Sequence, residues 1–196
     1  MEQAFPGNLL LVHLFNGLAG FAPVQALAVF VARDLVYLLV LALLLAWVRG
    51  GVEARRWVLL AGLSVVLGLA VNQVLGALLQ TPRPFVAGDA VQRIAHRVNP
   101  SFPSDHGVIF WAVGFCLGLR GPLLRLGMAA RWAGLAVAWA RVSLGVHYPL
   151  DFLGAALVAL AAVVLVLRHE GRIAPWAARL ESLHAGIAAH LPRRAG

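Results

Sequence analysis

No lysine occurs among the 196 residues, so all 16 basic positions are arginine. The arginines are scattered between apolar runs instead of forming a stripe, which speaks against a nucleic-acid partner and for charged loops joining membrane segments. Cysteine occurs once, at Cys116, which excludes an internal disulfide and leaves the redox compartment open. Acidic residues are also sparse, 8 against 16 basic, for a net charge of +8. What fills the chain is apolar. Its 61% hydrophobic content and mean hydropathy of +0.85 exceed the roughly 45–50% apolar share of soluble domains. Disorder and a single water-soluble domain are both excluded, because too little polar surface exists to cover that much apolar volume. Met1-Glu2 supplies no basic lead-in to an apolar run, so no cleaved signal peptide is expected. No internal repeat is visible.

A spanning helix needs about 20 mostly apolar residues. Five stretches qualify: Leu27–Val48, Trp57–Leu79, Asp105–Leu119, Leu124–Ala140 and Leu150–Leu167. The third and fourth are short, so they are expected to borrow flanking residues such as Ser104 and Arg141. Phe5–Phe21, with Asn8, His13 and Asn16, suits an interfacial helix better than a sixth span. The expectation is an all-α integral membrane protein: about five transmembrane helices plus that N-terminal interfacial or sixth helix. Residues 1–26 form the N-terminal segment, 27–168 the transmembrane unit and 169–196 an amphipathic cytoplasmic tail. His13, His169, His184 and His190 read as interfacial, and Trp47, Trp57, Trp111, Trp132, Trp139 and Trp176 as an aromatic belt or helix packing.

Arginine placement sets the orientation, since short cytoplasmic loops carry the excess of positive charge. Arg49, Arg55 and Arg56, then Arg120 and Arg125, then Arg168 and Arg172 fall on one side, which is assigned to the cytoplasm. Loop Gln80–Pro103 and the turn near Gly145–Pro149 then lie on the outer face, although Arg83, Arg93, Arg97 and Arg141 lie there too. Cations placed against the rule call for an anionic partner.

That outer face gathers three clusters: Pro82-Arg83-Pro84-Phe85, Ser101-Phe102-Pro103-Ser104-Asp105-His106, and Arg141 through His147 to Asp151. Singly each has an ordinary reading: Arg83 and Arg141 as snorkelling anchors, Ser104 as a helix N-cap. Together they place two arginines, two histidines, a serine and an aspartate where uncharged residues would be far cheaper. The set makes sense as phosphoryl chemistry. Arginine forks match phosphate oxygens, and a helix beginning at Ser104 aims free N–H groups at an anion. Two imidazoles supply a nucleophile and a proton donor. Asp151, four residues past His147 and just beyond Pro149, can hold the proton on one ring nitrogen and free the other to attack.

The ordered motifs R-P, P-S-x-H and R-x5-H-x3-D resemble the signature of the type-2 phosphatidic acid phosphatase superfamily. Ala32-Arg33-Asp34, Pro84-Phe85-Val86, Ser101 to Gly107 and Leu144 to Asp151 further resemble its bacterial undecaprenyl-diphosphate phosphatase branch. The resemblance implies an inner-membrane enzyme with its site on the periplasmic face. It would remove the terminal phosphate from an isoprenoid diphosphate lipid and so recycle the carrier for cell-wall synthesis. It further implies His147 as nucleophile through a phosphohistidine, Asp151 as its orienting partner and His106 as general acid. Arg83, Arg141 and Ser104 would bind phosphate, with no metal and no cofactor. Membrane lipids are the other expected partners, nucleic acid is not one, and oligomeric state is left open.

Three departures accompany the resemblance. The family lysine seven residues before Arg83 is Gly76 here; Arg33 either replaces its charge or snorkels to the headgroups. Asp105 stands where glycine is usual, and would pair with Arg93, Arg97 or Arg33, or favour a monoanionic substrate. Ala140 replaces a serine before Arg141. Asn72 and Gln73 read as interhelical hydrogen bonders, and His96 as solvated loop polarity in preference to a diphosphate contact. Alternative readings are a phosphatase for phosphatidic acid, phosphatidylglycerol phosphate or a shorter prenyl diphosphate, and a non-catalytic anionic-lipid binder or transporter.

Overall fold

The computed structural model describes residues 6–119, 121–172 and 175. Arg120, and most of the expected tail with Trp176, Arg179, His184, His190, Arg193 and Arg194, lie outside the described residues. Seven helices and no strand are found among the described residues: α1 Pro6–Leu18, α2 Ala22–Arg49, α3 Val52–Leu79, α4 Pro84–Ala87, α5 Asp105–Leu117, α6 Leu124–Ser143 and α7 Pro149–Arg168. Three are long and apolar enough to cross a membrane: α2, the helix beginning at Val52, and α7. Each of the five expected spans corresponds to one helix.

The limits of those helices follow from backbone chemistry. Pro23, in the first turn of α2, lacks an N–H that would go unpaired there anyway, so the helix starts at Ala22, five residues before the hydropathy-based limit. Arg55 and Arg56 lie in the first two turns of α3 instead of a loop, because the connection from α2 is only Gly50-Gly51. Ser104 caps α5, its hydroxyl accepting the Gly107 N–H at 3.4 Å.

At 1.5 Å per residue, α2 and α3 run about 42 Å, α6 and α7 about 30 Å, and α1 and α5 only about 20 Å. The hydrocarbon core is about 30 Å thick. Helix α5 tolerates its shortness because it sits at the centre of the bundle against α3, α6 and α7, with Val108, Phe110, Val113, Cys116 and Leu117 wholly or almost wholly buried. Helix α7 buries Phe152, Ala155, Ala159 and Val163, a spacing of three to four that forms one helical face, and Phe152 and Ala155 lie against Gly107 of α5. In lipid there is no hydrophobic gain between helices, so small residues that permit close approach matter most. Gly127 on α6 is such a contact: a Cβ there would overlap the backbone of Leu117 and Gly118.

Helix α1 is fastened to the bundle by two asparagines. Asn16 Nδ2 donates to the carbonyls of Val91 (2.9 Å) and Ser143 (3.0 Å), while its Oδ1 accepts the Val91 N–H at 3.0 Å. Asn8 Oδ1 accepts the Leu150 N–H at 3.1 Å. Chain direction brings the C-termini of α3 and α6, the N-termini of α5 and α7, and the 80–104 connection to one end of the bundle. At the other end Arg56 pairs with Glu170 at 2.7 Å, joining the start of α3 to the end of α7.

Candidate active site

The 80–104 connection is a structured arm lying across the end of the bundle. Arg83 precedes Pro84 and is therefore held extended, at φ −75° and ψ 155°. Thr81 sets its depth: the carbonyl accepts the Ser101 N–H at 2.8 Å and the hydroxyl accepts the Phe102 N–H at 2.9 Å. Phe85 N–H and Arg93 N–H donate to the carbonyls of Gly145 and Leu144. Gly145 adopts φ +74°, and a Cβ there would strike the Val91 carbonyl, so the arm seats only against glycine.

Between the arm and helices α3, α5 and α6 lies a cavity of about 350 Å³, lined on its cationic side by Arg83, Arg141, His96, His106 and His147. His147 and Asp151 are 2% and 3% exposed. His147 Nδ1 lies 2.9 Å from Asp151 Oδ2. The same oxygen accepts the Tyr148 N–H at 2.8 Å and the Ser101 hydroxyl at 2.5 Å. The carboxylate is thus fixed in the first turn of α7 by its own N-terminus. With Nδ1–H facing the carboxylate, Nε2 carries the lone pair and accepts from Arg83 Nη1 at 3.1 Å. Burial first, then the charges of Arg141 and Arg83, hold the His147 pKa well below the ordinary 6.5, so the ring is neutral.

Arg83 is held by oxygens that carry no charge: Asn99 O and Oδ1 (both 3.1 Å), Pro100 O (3.0 Å) and Val146 O (2.6 Å). Arg141, 6% exposed at the end of α6, leaves its Nε unpartnered. The two guanidiniums therefore keep their positive charge for whatever enters. His106, in the first turn of α5, makes no side-chain hydrogen bond among the described residues and faces the cavity. Tyr148 Oη donates to Asp89 Oδ2 at 2.5 Å, tying the arm to the neighbour of His147.

The structure thus brings together His147, Asp151, His106, Arg83 and Arg141. Ser104 lies immediately beside them but is fully buried as the α5 cap and is absent from the cavity lining. Arg33 is elsewhere. Because α2 begins at Ala22, Arg33 sits three turns along that helix, with its side chain 66% exposed and paired with Asp34 at 3.0 Å. No residue of α2 lines the cavity, so Arg33 does not replace the missing lysine. Gly76 does line it, so no cation stands at that position. Asp105 finds neither Arg93, Arg97 nor Arg33: it accepts from Asn72 Nδ2 at 2.6 Å and Gln73 Nε2 at 3.4 Å. These amides do join helices as expected, and they also line the cavity.

Ser101 goes unmarked in the sequence as a site residue, and His96, expected as solvated loop polarity, is drawn into the site instead. Ser101 lies inside the second cluster, but nothing local marks it as a partner of Asp151. His96 is half-buried and lines the cavity, its Nε2 2.9 Å from Arg141 Nη2 and its ring 6.3 Å from that of His147. The excess of outer-face cations was the available signal, since it implies an enclosed anion site around the arm.

A helical membrane bundle that buries a histidine–aspartate pair beside two arginines with no ion pair among the described residues has the parts needed to handle a phosphoryl group. Comparison with known proteins gives the family. The PAP2 superfamily matches residues 57–173, a span containing every residue that lines the cavity, and the chain belongs to it as a membrane phosphatase. YbjG of Escherichia coli (strain K12) is 35% identical over 153 residues, 76% of each chain. Undecaprenyl-diphosphatase BcrC of Bacillus subtilis (strain 168) is 31% identical over 152 residues, 78% of each. The bacitracin transport permease protein BcrC of Bacillus licheniformis is 30% identical over 142 residues, 70% of this chain and 67% of the relative. The crystal structure of Aquifex aeolicus LpxE shares the fold, with a TM-score of 0.68 at 20% identity over 86% of this chain and 99% of that one.

Proposed function

We propose that the protein hydrolyses undecaprenyl diphosphate to undecaprenyl phosphate and inorganic phosphate through a phosphohistidine on His147, at the outer face of the bacterial inner membrane. The observation that carries the mechanism is the buried His147–Asp151 contact of 2.9 Å, opening on a cavity whose arginines pair with no carboxylate among the described residues. The Nε2 lone pair attacks the terminal phosphorus while the bond to the bridging oxygen breaks, and His106 gives that oxygen its proton. Asp151 holds Nδ1–H and stabilises the positive phosphorylated ring. In the second step His106 takes a proton from water, hydroxide attacks phosphorus, the P–N bond breaks and phosphate leaves. Arg83 and Arg141 bind the equatorial oxygens, where charge gathers in the transition state. Ser104 contributes the cap that aims the start of α5 at the same space.

The substrate reading is supported by the Bacillus subtilis relative, an undecaprenyl-diphosphatase at 31% identity. The orientation is supported by Arg49, Arg55, Arg56, Arg125, Arg168 and Arg172 at the end opposite the cavity. The transport name of the Bacillus licheniformis relative would suit a carrier of anionic lipid, but binding alone does not require an imidazole buried against a carboxylate. The test is phosphate release by the detergent-solubilised protein in EDTA. Undecaprenyl diphosphate is compared with phosphatidic acid and phosphatidylglycerol phosphate, and wild type with His147→Ala. Fastest release from the prenyl diphosphate, lost in the variant, is expected. Preference for a glycerolipid would move the substrate and keep the mechanism; no release from folded protein would favour the carrier.

A further inference from the structure

Arg141 has one side-chain partner among the described residues, and it is not a carboxylate. Its Nη2 lies 2.9 Å from His96 Nε2, while its Nε, buried, meets nothing. The direction of the first bond follows from the other side of the ring. His96 Nδ1 stands 3.1 Å from the Arg97 carbonyl, an oxygen that can only accept. Nδ1 therefore carries the hydrogen, and Nε2 offers its lone pair to the guanidinium. A neutral acceptor orients a cation without cancelling its charge, whereas a carboxylate at the same place would compete with phosphate for the same donors.

We propose that His96, as the neutral Nδ1–H tautomer, is a positioning residue that fixes the Arg141 guanidinium at the cavity wall and leaves its charge free for a phosphoryl group. The inference rests on the reading of Arg141 as a phosphate ligand. The charged and titratable groups around the ring are Arg83, Arg97, Arg141, Asp105, His106 and His147. Burial, and then the charges of Arg83 and Arg141, outweigh the Arg97 hydrogen bond and lower the His96 pKa, which preserves the lone pair at neutral pH.

The experiment uses the full-length solubilised protein and inorganic phosphate as probe, measuring equilibrium binding by phosphorus NMR line broadening and, separately, KM and kcat. His96→Phe keeps a planar ring and removes the acceptor; His96→Gln restores an acceptor oxygen at the reach of Nε2. Loss of one charge-assisted hydrogen bond should weaken phosphate binding and raise KM about tenfold in His96→Phe, with most of the loss recovered in His96→Gln. In an Arg141→Gln background, His96→Phe should add less than about twofold, because the two residues act as a unit. Unchanged binding in His96→Phe, equal loss in His96→Gln, or full additivity with Arg141→Gln would overturn the positioning role. Phosphate binding untouched by Arg141→Gln alone would overturn the phosphate-site reading beneath it. Should His96→Phe fail to fold, His96→Ala against His96→Gln makes the same comparison.

Discussion

Asp151 Oδ2 receives three donors, from His147, Tyr148 and Ser101, and they are not equal in consequence. Ser101→Ala leaves the carboxylate its two donors from His147 and Tyr148, so turnover should fall only about tenfold, the scale of one buried hydrogen bond to a charged group. Asp151→Asn removes the carboxylate that selects the tautomer, and kcat should fall about a hundredfold or more. Measured kcat of the two purified variants separates these roles; equal losses would contradict the hierarchy. The pH dependence follows from the neutral ring being the active form. Because the His147 pKa is lowered, the acid limb of kcat/KM set by its neutral ring should lie below the ordinary value of 6.5, while the alkaline limb should follow loss of the proton that His106 must donate. Stability has the same sign: a histidine with a depressed folded pKa contributes above its unfolded value and loses that contribution as pH falls through the folded one. The sequence made His147 and Asp151 legible because they flank a helix start, where a carboxylate at the third helical position reaches back across the N-cap. Ser101 and His96 were opaque, since their partners lie 50 and 45 positions away and only the tertiary path of the arm joins them.

At the scale of elements, the arm and α1 form one assembly. Asn16 bridges Val91 on the arm and Ser143 at the end of α6, so α1 holds the arm down over His147 and Arg83. Asn16→Leu matches much of the volume but leaves the Val91 N–H and two carbonyls without their partner, at about 1–3 kcal/mol per unsatisfied buried group. Thermal unfolding in detergent should shift downward, with kcat/KM falling more than overall helicity. An unaltered melting temperature and rate would separate α1 from the site. The five apolar stretches were readable from hydropathy because lipid-facing residues must be apolar whatever they pack against. The helix starts were less so: Pro23 and the Gly50-Gly51 turn act through backbone geometry, which moved α2 and α3 towards their N-termini and carried Arg33 along the helix away from the cavity end.

For the whole molecule, charge asymmetry and chemistry point the same way. The cavity end holds Arg83, Arg93, Arg97 and Arg141, of which Arg83 and Arg141 face the cavity; the opposite end carries the arginines that orient the chain. Cys116 is buried, so replacing it by alanine gives a background for single reporter cysteines. In intact cells a membrane-impermeant maleimide should label Arg97→Cys and leave Arg125→Cys unlabelled until the membrane is opened; the reverse pattern would invert the orientation. The covalent step is tested most directly by mixing enzyme with undecaprenyl diphosphate carrying a labelled terminal phosphate, quenching in alkali within the first turnover, and locating the label by mass spectrometry. Label on the His147 ring, absent in His147→Ala and accumulated in His106→Ala when a good leaving group replaces the prenyl phosphate, is the predicted result. Rapid release of labelled phosphate with no labelled protein at any time, under conditions that preserve phosphohistidine, would contradict the phosphohistidine mechanism.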